Sequence, residues 1–360
     1  MSMSPLELPP NQPRQFYRGG AAIAALRQLA PGPDEYRPED WVASTTALFG
    51  KDPEGLATLP DGRTLRDAVA ADPVGWLGAE HVAAFGADPA LLVKLLHAGQ
   101  RLPVHCHPDN AFAARHLGCR HGKTEAWVVL DTDSDTADTP DPTVYIGLRD
   151  GADEDTVRHW VSTQDSEGML AALNPVRVAA GDTVLVPAGL PHAIGAGVFV
   201  VEVQQAADMS VLLEWRDFVP GPDTAHLGLG YATALACVDH TAWPPERIAT
   251  LLRHTAGDPG PVVDLFGADA DPFFRAQRLH PGTGLDLAPS YAVLVALTGT
   301  GTLRTGRGET LHLRRGSTVV VPHAAGPTTL TGADLVVVRC QPPPPGPASA
   351  AADATRGEGR

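Results

Sequence analysis

The sequence predicts a mainly β protein with helical insertions, built as two small β-barrels or jelly rolls in tandem. Glycine and proline are frequent, with 37 and 34 residues, which favours many short strands over a helical bundle. A glycine turn, a β-branched strand and a terminating proline occur at 181–187 and again at 316–322. Separate strand-like runs also lie next to potential metal ligands, as expected of a barrel with a site in its mouth.

The elements are expected in the following order. Residues 1–45 combine a proline-rich entry with a short helix-like stretch, and helices are expected within about 65–100 and 151–174. The segment 89–97 fits a helix that ends before Gly99, but its nearly continuous apolar character also fits a strand.

These elements divide the chain into four parts. Residues 1–220 are predicted to form a first barrel domain that carries the site, and 221–258 a helical connection. A second β domain is expected over 259–342. Residues 343–360 have the proline- and alanine-rich composition of a disordered tail.

Composition restricts the classes of partner. The 360 residues are 43% hydrophobic and 19% charged, an ordinary balance for a globular protein. The formal net charge of -15 argues against nucleic acid or an anionic membrane as a partner, so we expect a small molecule. The four cysteines form no CxxC pair, and no apolar run has signal-peptide or membrane-span length. We therefore expect reduced thiols, a cytoplasmic location and a monomer or homodimer.

Three histidines and one glutamate carry the strongest functional signal: His105, His107, Glu125 and His192. His105 and His107 are two residues apart, so on a strand both side chains point to one face while Cys106 points away. Glu125 precedes one strand-like run, and His192 follows another. Three imidazoles and a carboxylate suit a borderline divalent metal, and an open coordination position would make the site catalytic.

The spacing from Gly181 through Pro187 and Gly189 to His192 matches the second motif of the cupin family. More specifically, the chain resembles type I mannose-6-phosphate isomerases, especially the short bacterial form. The segments that carry the likeness are LLVKLLHAGQRLPVHCHPDN, GKTEAWVVLDTD, VYIGL and GDTVLVPAGLPHAIGAGVFVVEVQQAADMS, with PEDWVAST and GTGTLRTG…LRRGSTVVVP fitting more loosely.

The resemblance implies a catalytic cupin barrel with a helical insertion, followed by a second cupin-like barrel. It also implies a metal-dependent enzyme that interconverts mannose 6-phosphate and fructose 6-phosphate through an enediol. His105 stands where the family carries a glutamine ligand, and the other three ligands match. Zn²⁺ is the implied cofactor, with Fe²⁺ or Mn²⁺ as alternatives.

The resemblance further implies roles for three residues of the pocket. Glu202 matches a family acid and is the first candidate for proton transfer. Lys123 and Lys94 stand where the family carries lysines; we expect the first to act in catalysis and the second to bind substrate. Trp41 is expected to line the mouth of the barrel as a further substrate-binding residue.

Two departures from the family pattern concern the phosphate group. Pro103 replaces a serine associated with phosphate recognition, and Leu212 replaces an arginine. Arg216 is a candidate catalytic substitute for that arginine, and Arg120 is a candidate substrate-binding residue close to the motif. The residues thus support an aldose–ketose reaction better than they support a phosphate group on the sugar substrate. An isomerase of unphosphorylated sugars, an iron-dependent oxygenase and an inactive sugar-binding cupin remain as alternatives.

Overall fold

The computed structural model describes residues 3–30, 32–132 and 142–345, where most regular structure is β-strand. The strands are β1 (Leu6–Glu7), β2 (Glu39–Val42), β3 (Leu92–His97), β4 (His105–Cys106), β5 (Glu125–Thr132), β6 (Thr143–Leu148), β7 (Leu173–Arg177), β8 (Asp182–Val186), β9 (His192–Ile194), β10 (Val198–Gln204), β11 (Val211–Leu212), β12 (Leu252–His254), β13 (Val262–Asp264), β14 (Arg275–Leu279), β15 (Gly282–Leu287), β16 (Ala292–Thr298), β17 (Thr300–Thr305), β18 (Thr310–Arg314), β19 (Thr318–Val321), β20 (Thr328–Gly332) and β21 (Val336–Gln341).

Short helices connect the strands. They are α1 (Ala21–Arg27), α2 (Leu65–Ala71), α3 (Pro73–Leu77), α4 (Ala79–Phe85), α5 (Asn110–Phe112), α6 (Glu154–Thr163), α7 (Ser166–Ala172), α8 (Tyr231–Ala234) and α9 (Pro245–Ala249). A π-helical turn, Ala113–Leu117, continues α5. Single 3-10 turns lie at Pro222–Thr224, Leu235–Cys237, Ala268–Ala270 and His323–Ala325. Side chains of Thr64, Asp153 and Asp165 accept backbone N–H bonds at the starts of α2, α6 and α7, which defines where these helices begin.

The first barrel consists of two antiparallel sheets. One has the strand order β12-β8-β5-β10-β3-β2, and the other has the order β11-β4-β9-β6-β7. Register places Trp41, Lys94, Glu202 and Trp127 opposite one another across β2, β3, β10 and β5. Since side chains alternate along a strand, this row shares one face of the sheet, and that face points into the barrel.

The second barrel repeats the plan with the orders β1-β19-β16-β21-β14-β13 and β15-β20-β17-β18. The predicted internal repeat corresponds to β8 and β19, each second in its six-stranded sheet. Both strands follow a glycine with positive φ, Gly181 at 91° and Gly316 at 85°. A Cβ there would lie 2.6 Å from the Ala256 Cβ or 2.2 Å from the Leu26 carbonyl oxygen, so both turns require glycine.

The two barrels pack against each other through their six-stranded sheets. The outward face of β3 contributes Val93 and Leu95 to a hydrophobic core that also contains Val293 and Val295 of β16. A buried ion pair, Arg27 to Asp40 at 3.2 Å, lies in the same region, and Arg27 also donates to the Gly316 carbonyl of the second barrel. The second barrel therefore supports the back of the sheet that carries Lys94 and Glu202.

The helix expected at 89–97 is a strand, β3, in accordance with the alternative interpretation. β3 lies between β10 and β2, with one face inside the barrel and the other against the second barrel. Both faces are buried, so the sequence is apolar almost throughout and lacks the period of a half-exposed element. Helices do occupy the rest of the expected segments, at 65–85 and 154–172.

Two strands pair across the domain boundaries predicted from the sequence. The connection 221–258 contains α8 and α9 but ends in β12, which pairs with β8 of the first barrel. The N-terminal strand β1 pairs with β19 and so belongs to the second barrel's sheet. Residues 346–360 of the predicted tail lie outside the described residues. No described helix is both long enough and apolar enough to cross a membrane.

Candidate metal centre

Three histidines converge inside the first barrel. His105 on β4 lies directly opposite His192 on β9, and His107 immediately follows β4. The ring centroids of His105 and His192 are 4.2 Å apart, and those of His107 lie 5.0 and 4.9 Å from them. One ring nitrogen from each side chain lies within 4.8 Å of the others. The His-x-His spacing and the cross-strand pairing thus bring the three imidazoles together.

Backbone carbonyls fix the tautomer of all three rings. The Nδ1–H groups donate to the carbonyls of Pro103, Met209 and Leu190, at 2.8, 2.8 and 2.7 Å for His105, His107 and His192 respectively. Because a carbonyl can only accept, Nδ1 carries the hydrogen, and in the neutral form of each ring Nε2 keeps a free lone pair. This is the arrangement that orients histidines as metal ligands.

Glu125 approaches the histidines from the opposite sheet, at the start of β5. Its carboxylate oxygens lie 3.2 Å from His107 Nε2 and 3.4 Å from His192 Nε2. Trp127 Nε1 donates to Glu125 Oε1 at 3.1 Å and so holds the carboxylate in place. His107 Nε2 and His192 Nε2 are buried and make no hydrogen bond to any described residue. These four side chains therefore present the donors that a divalent metal requires.

A charge cluster continues from Glu125 along the same wall of the barrel. Lys123 Nζ lies 2.9 Å from Glu125 and 3.6 Å from Glu202. Lys94 Nζ lies 3.5 Å from Glu202, 3.3 Å from Glu39 and 3.6 Å from Asp208. The members of the charge cluster are Glu39, Lys94, Lys123, Glu125, Glu202 and Asp208.

The charge cluster has an excess of negative charge. With every member ionised, its four carboxylates and two ammonium groups leave two negative charges unbalanced. A divalent cation at the neighbouring histidines would compensate both. Since an uncompensated buried charge is costly, the donor set and the charge balance together fit a divalent metal.

Protonation states agree with this assignment. Burial, with the Lys123 ammonium adding to it, lowers the pKa of His107 to about 3. Burial and the other two imidazoles lower the pKa of His105 well below its usual value. Burial opposes ionisation of Glu125, but Lys123 and His107 hold its pKa well below the ordinary range. Neutral imidazoles and an ionised carboxylate are the forms that bind metal.

A cavity of about 570 Å³ opens beside the metal ligands. The side of the cavity formed by the charge cluster includes Lys94, Lys123 and Glu202. Apolar residues of the opposite sheet and its connections, including Pro103, Ile194 and Leu212, line another part of the wall. A bound molecule would thus meet polar groups near the ligands and an apolar surface beside them.

Four of the other predicted site residues lie at the cavity or directly behind it. Glu202, Lys123 and Lys94 line the cavity. Trp41 is fully buried behind them, with its ring 4.7 Å from the Lys94 ammonium and its Nε1 donating to Glu39 at 2.6 Å. The sequence pattern thus locates Glu202, Lys123 and Lys94 at the cavity, whereas Trp41, expected to line the mouth, is not among the described residues that line it.

Arg216 and Arg120 are not among the described residues that line the cavity. The Arg216 guanidinium donates to the Thr163 carbonyl at 3.3 Å, on the exposed side of α6. Strand β11 ends at Leu212, so alternation from that residue does not extend to Arg216. Arg120 donates to the carbonyl of Phe85, the last residue of α4, and lies 3.9 Å from the Asp88 carboxylate.

Sequence reasoning missed Glu39, Asp208 and Tyr17. Tyr17 donates to Glu39 at 2.5 Å, and all three residues line the cavity. Glu39 could have been found, because it lies two residues before Trp41 and so shares its strand face. Asp208 and Tyr17 lie outside regular strands, and only tertiary folding brings them to the site.

Glu214 positions the chain segment that leads to His105. Its carboxylate accepts the Val104 N–H at 2.9 Å and two Arg101 guanidinium bonds at 2.7 and 2.6 Å. Burial opposes ionisation, but the Arg101 and Val104 hydrogen bonds hold the pKa of Glu214 below its usual range. The ionised carboxylate is therefore part of what holds β4 in register.

Together these features define a class of protein, one with two tandem cupin-type barrels and a buried three-histidine, one-glutamate cluster in the first. Solved structures share the fold. The mannose 6-phosphate isomerase from Bacillus subtilis aligns with a TM-score of 0.68 at 20% identity, covering 94% of this chain and 99% of that one. A phosphomannose isomerase variant from Salmonella typhimurium gives 0.71 at 17% identity, covering 94% and 100%. The predicted mainly β fold with tandem cupin-like barrels is confirmed.

Relatives found by sequence are also named mannose-6-phosphate isomerase. The chain is 32% identical over 180 residues to the mannose-6-phosphate isomerase of Streptococcus mutans serotype c, covering 49% of this chain and 50% of the relative. It is 33% identical over 124 residues to the mannose-6-phosphate isomerase ManA of Bacillus subtilis strain 168, covering 34% and 36%. No protein-family model matches the chain. The chain thus spans half the length of these two relatives or less, and the resemblance to mannose-6-phosphate isomerases is confirmed over that part.

Replacing a histidine ligand should remove metal binding. We expect His107→Ala and His192→Ala each to lower the affinity for Zn²⁺ by more than roughly 100-fold, because loss of even an outer-shell partner costs 10- to 100-fold. Calorimetric titration of metal-free protein measures this, with His254→Ala as control because that side chain is 79% exposed. Full zinc occupancy in either ligand variant would show that the ligands are assigned wrongly.

Glu214→Gln should destabilise the fold in a pH-dependent way. A carboxyl whose pKa is lowered by folding contributes stability above its unfolded pKa and loses it as pH falls through the folded pKa. We expect a loss of about 1–3 kcal/mol near neutral pH, with the difference from wild type shrinking below about pH 4. Urea unfolding of the metal-free proteins at both pH values measures it; a difference that is independent of pH would contradict the assigned role.

Proposed function

We propose that the chain is a metal-dependent aldose–ketose isomerase, with mannose 6-phosphate and fructose 6-phosphate as its substrate pair. The observation that carries the proposal is a cluster of four metal donors, of which His105 and Glu125 line the same cavity as the buried carboxylate of Glu202. The names of the sequence relatives support the choice of sugar phosphate. The reaction requires that a proton move between C1 and C2 of the sugar while negative charge develops on the neighbouring oxygens.

His105, His107, Glu125 and His192 would hold the ion. A divalent ion there would stabilise the negative charge that develops on the sugar oxygens, without itself exchanging protons. We propose Zn²⁺, since the donor set suits it and a structure that shares the fold at a TM-score of 0.70 and 16% identity is a mannose 6-phosphate isomerase bound with zinc and yttrium. Fe²⁺ and Mn²⁺ are the alternatives.

Glu202 is the proposed acid–base group. Burial and the nearby Glu125 carboxylate raise its pKa above the usual value, against the opposing effect of Lys94 and Lys123. A raised pKa brings a carboxyl closer to working pH, where it both accepts and returns a proton efficiently. Glu202 Oε1 makes no hydrogen bond to a described residue, so a lone pair is available to the substrate.

Lys123 and Lys94 are proposed to orient Glu202 and the substrate oxygens. They lie 3.6 and 3.5 Å from Glu202 Oε1, on a wall of the cavity. Burial opposes their protonation, but Glu125 and Glu202 raise the pKa of Lys123, and Glu39 and Glu202 raise that of Lys94. Both therefore remain ammonium donors. Trp41 supports Lys94 from behind, whereas Arg216 and Arg120 stay predictions from sequence.

An unphosphorylated sugar is a second candidate substrate. The cavity wall at Pro103 and Leu212 is apolar, and the ammonium groups of Lys94 and Lys123 already face carboxylates, although Arg14 and Lys51 also line the cavity. A phosphate group is bound most strongly by guanidinium or ammonium donors that are not otherwise engaged. A cytoplasmic location and a monomeric or homodimeric state stay predictions.

The test is a coupled assay of zinc-reconstituted protein on mannose 6-phosphate, fructose 6-phosphate and free mannose. We expect turnover of both phosphates. Glu202→Gln should retain zinc but lose about 10²- to 10⁴-fold in kcat, the usual contribution of a general acid–base group. Glu246→Gln, an exposed position on α9, serves as the matched control.

The outcomes separate the candidates. Turnover of free mannose alone would replace the proposed substrate and assign Pro103 and Leu212 to specificity. A fully metal-loaded protein that turns over none of the three sugars would contradict isomerase function. A Glu202→Gln variant as active as wild type would refute the role of Glu202.

A further inference from the structure

Two cysteines touch on the outer side of the metal-binding strand. Cys106 Sγ lies 3.6 Å from Cys237 Sγ, within van der Waals contact. Cys106 is fully buried, whereas Cys237 is partly exposed at the end of the 3-10 turn Leu235–Cys237. Both pack with Val104 and Leu235 in an apolar core beneath α6 and α7. The proposed isomerase chemistry uses neither thiol.

We infer that Cys106 and Cys237 form an oxidisable pair, which closes to a disulfide on meeting a disulfide oxidant and thereby weakens the metal centre. The sulfur of the partly exposed Cys237 attacks one sulfur of the oxidant and releases one thiol. The Cys106 sulfur then attacks Cys237 in the mixed disulfide and releases the second. The protein loses two electrons and two protons, and the oxidant RSSR becomes two RSH.

The effect on the metal centre follows from the position of Cys106 in the chain. It lies between His105 and His107, with its side chain on the opposite face of the strand. A disulfide bond is about 2.05 Å long, so the two sulfurs must approach by about 1.5 Å. Metal–ligand distances tolerate a deviation of only about 0.2 Å. If β4 moved by even part of this 1.5 Å, His105 and His107 would be displaced from their metal-binding positions.

The segment that carries Cys237 is also tied to the metal ligands. Asp239 N–H donates to the Gly189 carbonyl at 2.8 Å, and Gly189 N–H donates to the His107 carbonyl at 2.7 Å. Gly189 has a φ of 87° and lies so close that a Cβ there would be 3.0 Å from the Cys237 carbonyl oxygen. A movement of Cys237 toward Cys106 is therefore transmitted to His107 and to the turn before His192.

The consequence for metal binding rests on the metal site of the proposed function, whereas closure of the disulfide does not. The two parts can be measured separately. Cys119 offers a matched control because it is also partly exposed but makes its contact with the Leu117 carbonyl.

The experiment treats zinc-loaded full-length protein with oxidised glutathione, then blocks remaining thiols under denaturing conditions and maps peptides by mass spectrometry. We expect a Cys106–Cys237 link in wild type and in Cys119→Ser, and none in Cys237→Ser. Zinc affinity, read with a chromogenic chelator, should fall roughly 10- to 100-fold in the linked proteins and stay unchanged in Cys237→Ser.

Two results would overturn the inference: Cys106 recovered fully as a blocked thiol after oxidation, or a complete Cys106–Cys237 link with zinc affinity unchanged. Reduced protein that binds no zinc would refute the metal site, and with it the metal consequence. The peptide map would still decide whether the thiols pair.

Discussion

The excess negative charge inside the first barrel is the constraint on which the rest of the structure depends. Four carboxylates of the charge cluster share the interior with Lys94 and Lys123, and an uncompensated buried charge costs several kcal/mol. Three imidazoles bring their ring nitrogens together in the same region. A divalent cation satisfies both requirements at once. The donors and charges inside the barrel thus fit a bound divalent cation.

The fold supplies this arrangement by bringing two sheets together. The histidines come from β4 and β9, while Glu125 and Glu202 come from β5 and β10 of the opposing sheet. Glu214 fixes the segment before His105, and carbonyls of irregular segments fix each histidine ring. The second barrel packs behind β3 and β10, which keeps the wall of charged residues in place. Rigid elements therefore carry the donors, and loops complete their orientation.

Local sequence patterns allowed the prediction of much of this arrangement. The His105–x–His107 spacing and the glycine-to-proline motif before His192 depend on strand alternation and turn chemistry, which are local properties. β3 was ambiguous because burial on both faces removes the polar–apolar pattern that separates strand from helix. Asp208 and the Cys106–Cys237 contact could not be predicted, since they depend on how distant segments pack. The position of Arg216 could not be predicted either, because β11 ends at Leu212 and the alternation of side chains along that strand does not extend to residue 216.

X-ray absorption at the zinc edge of the reconstituted protein tests the central claim most directly, because it reads the ligand atoms themselves. The account predicts a first shell of nitrogen and oxygen at about 2.0–2.1 Å with the outer-shell pattern of several imidazoles. A sulfur shell at about 2.3 Å would instead mean that a cysteine such as Cys106 binds the ion, and would contradict the account.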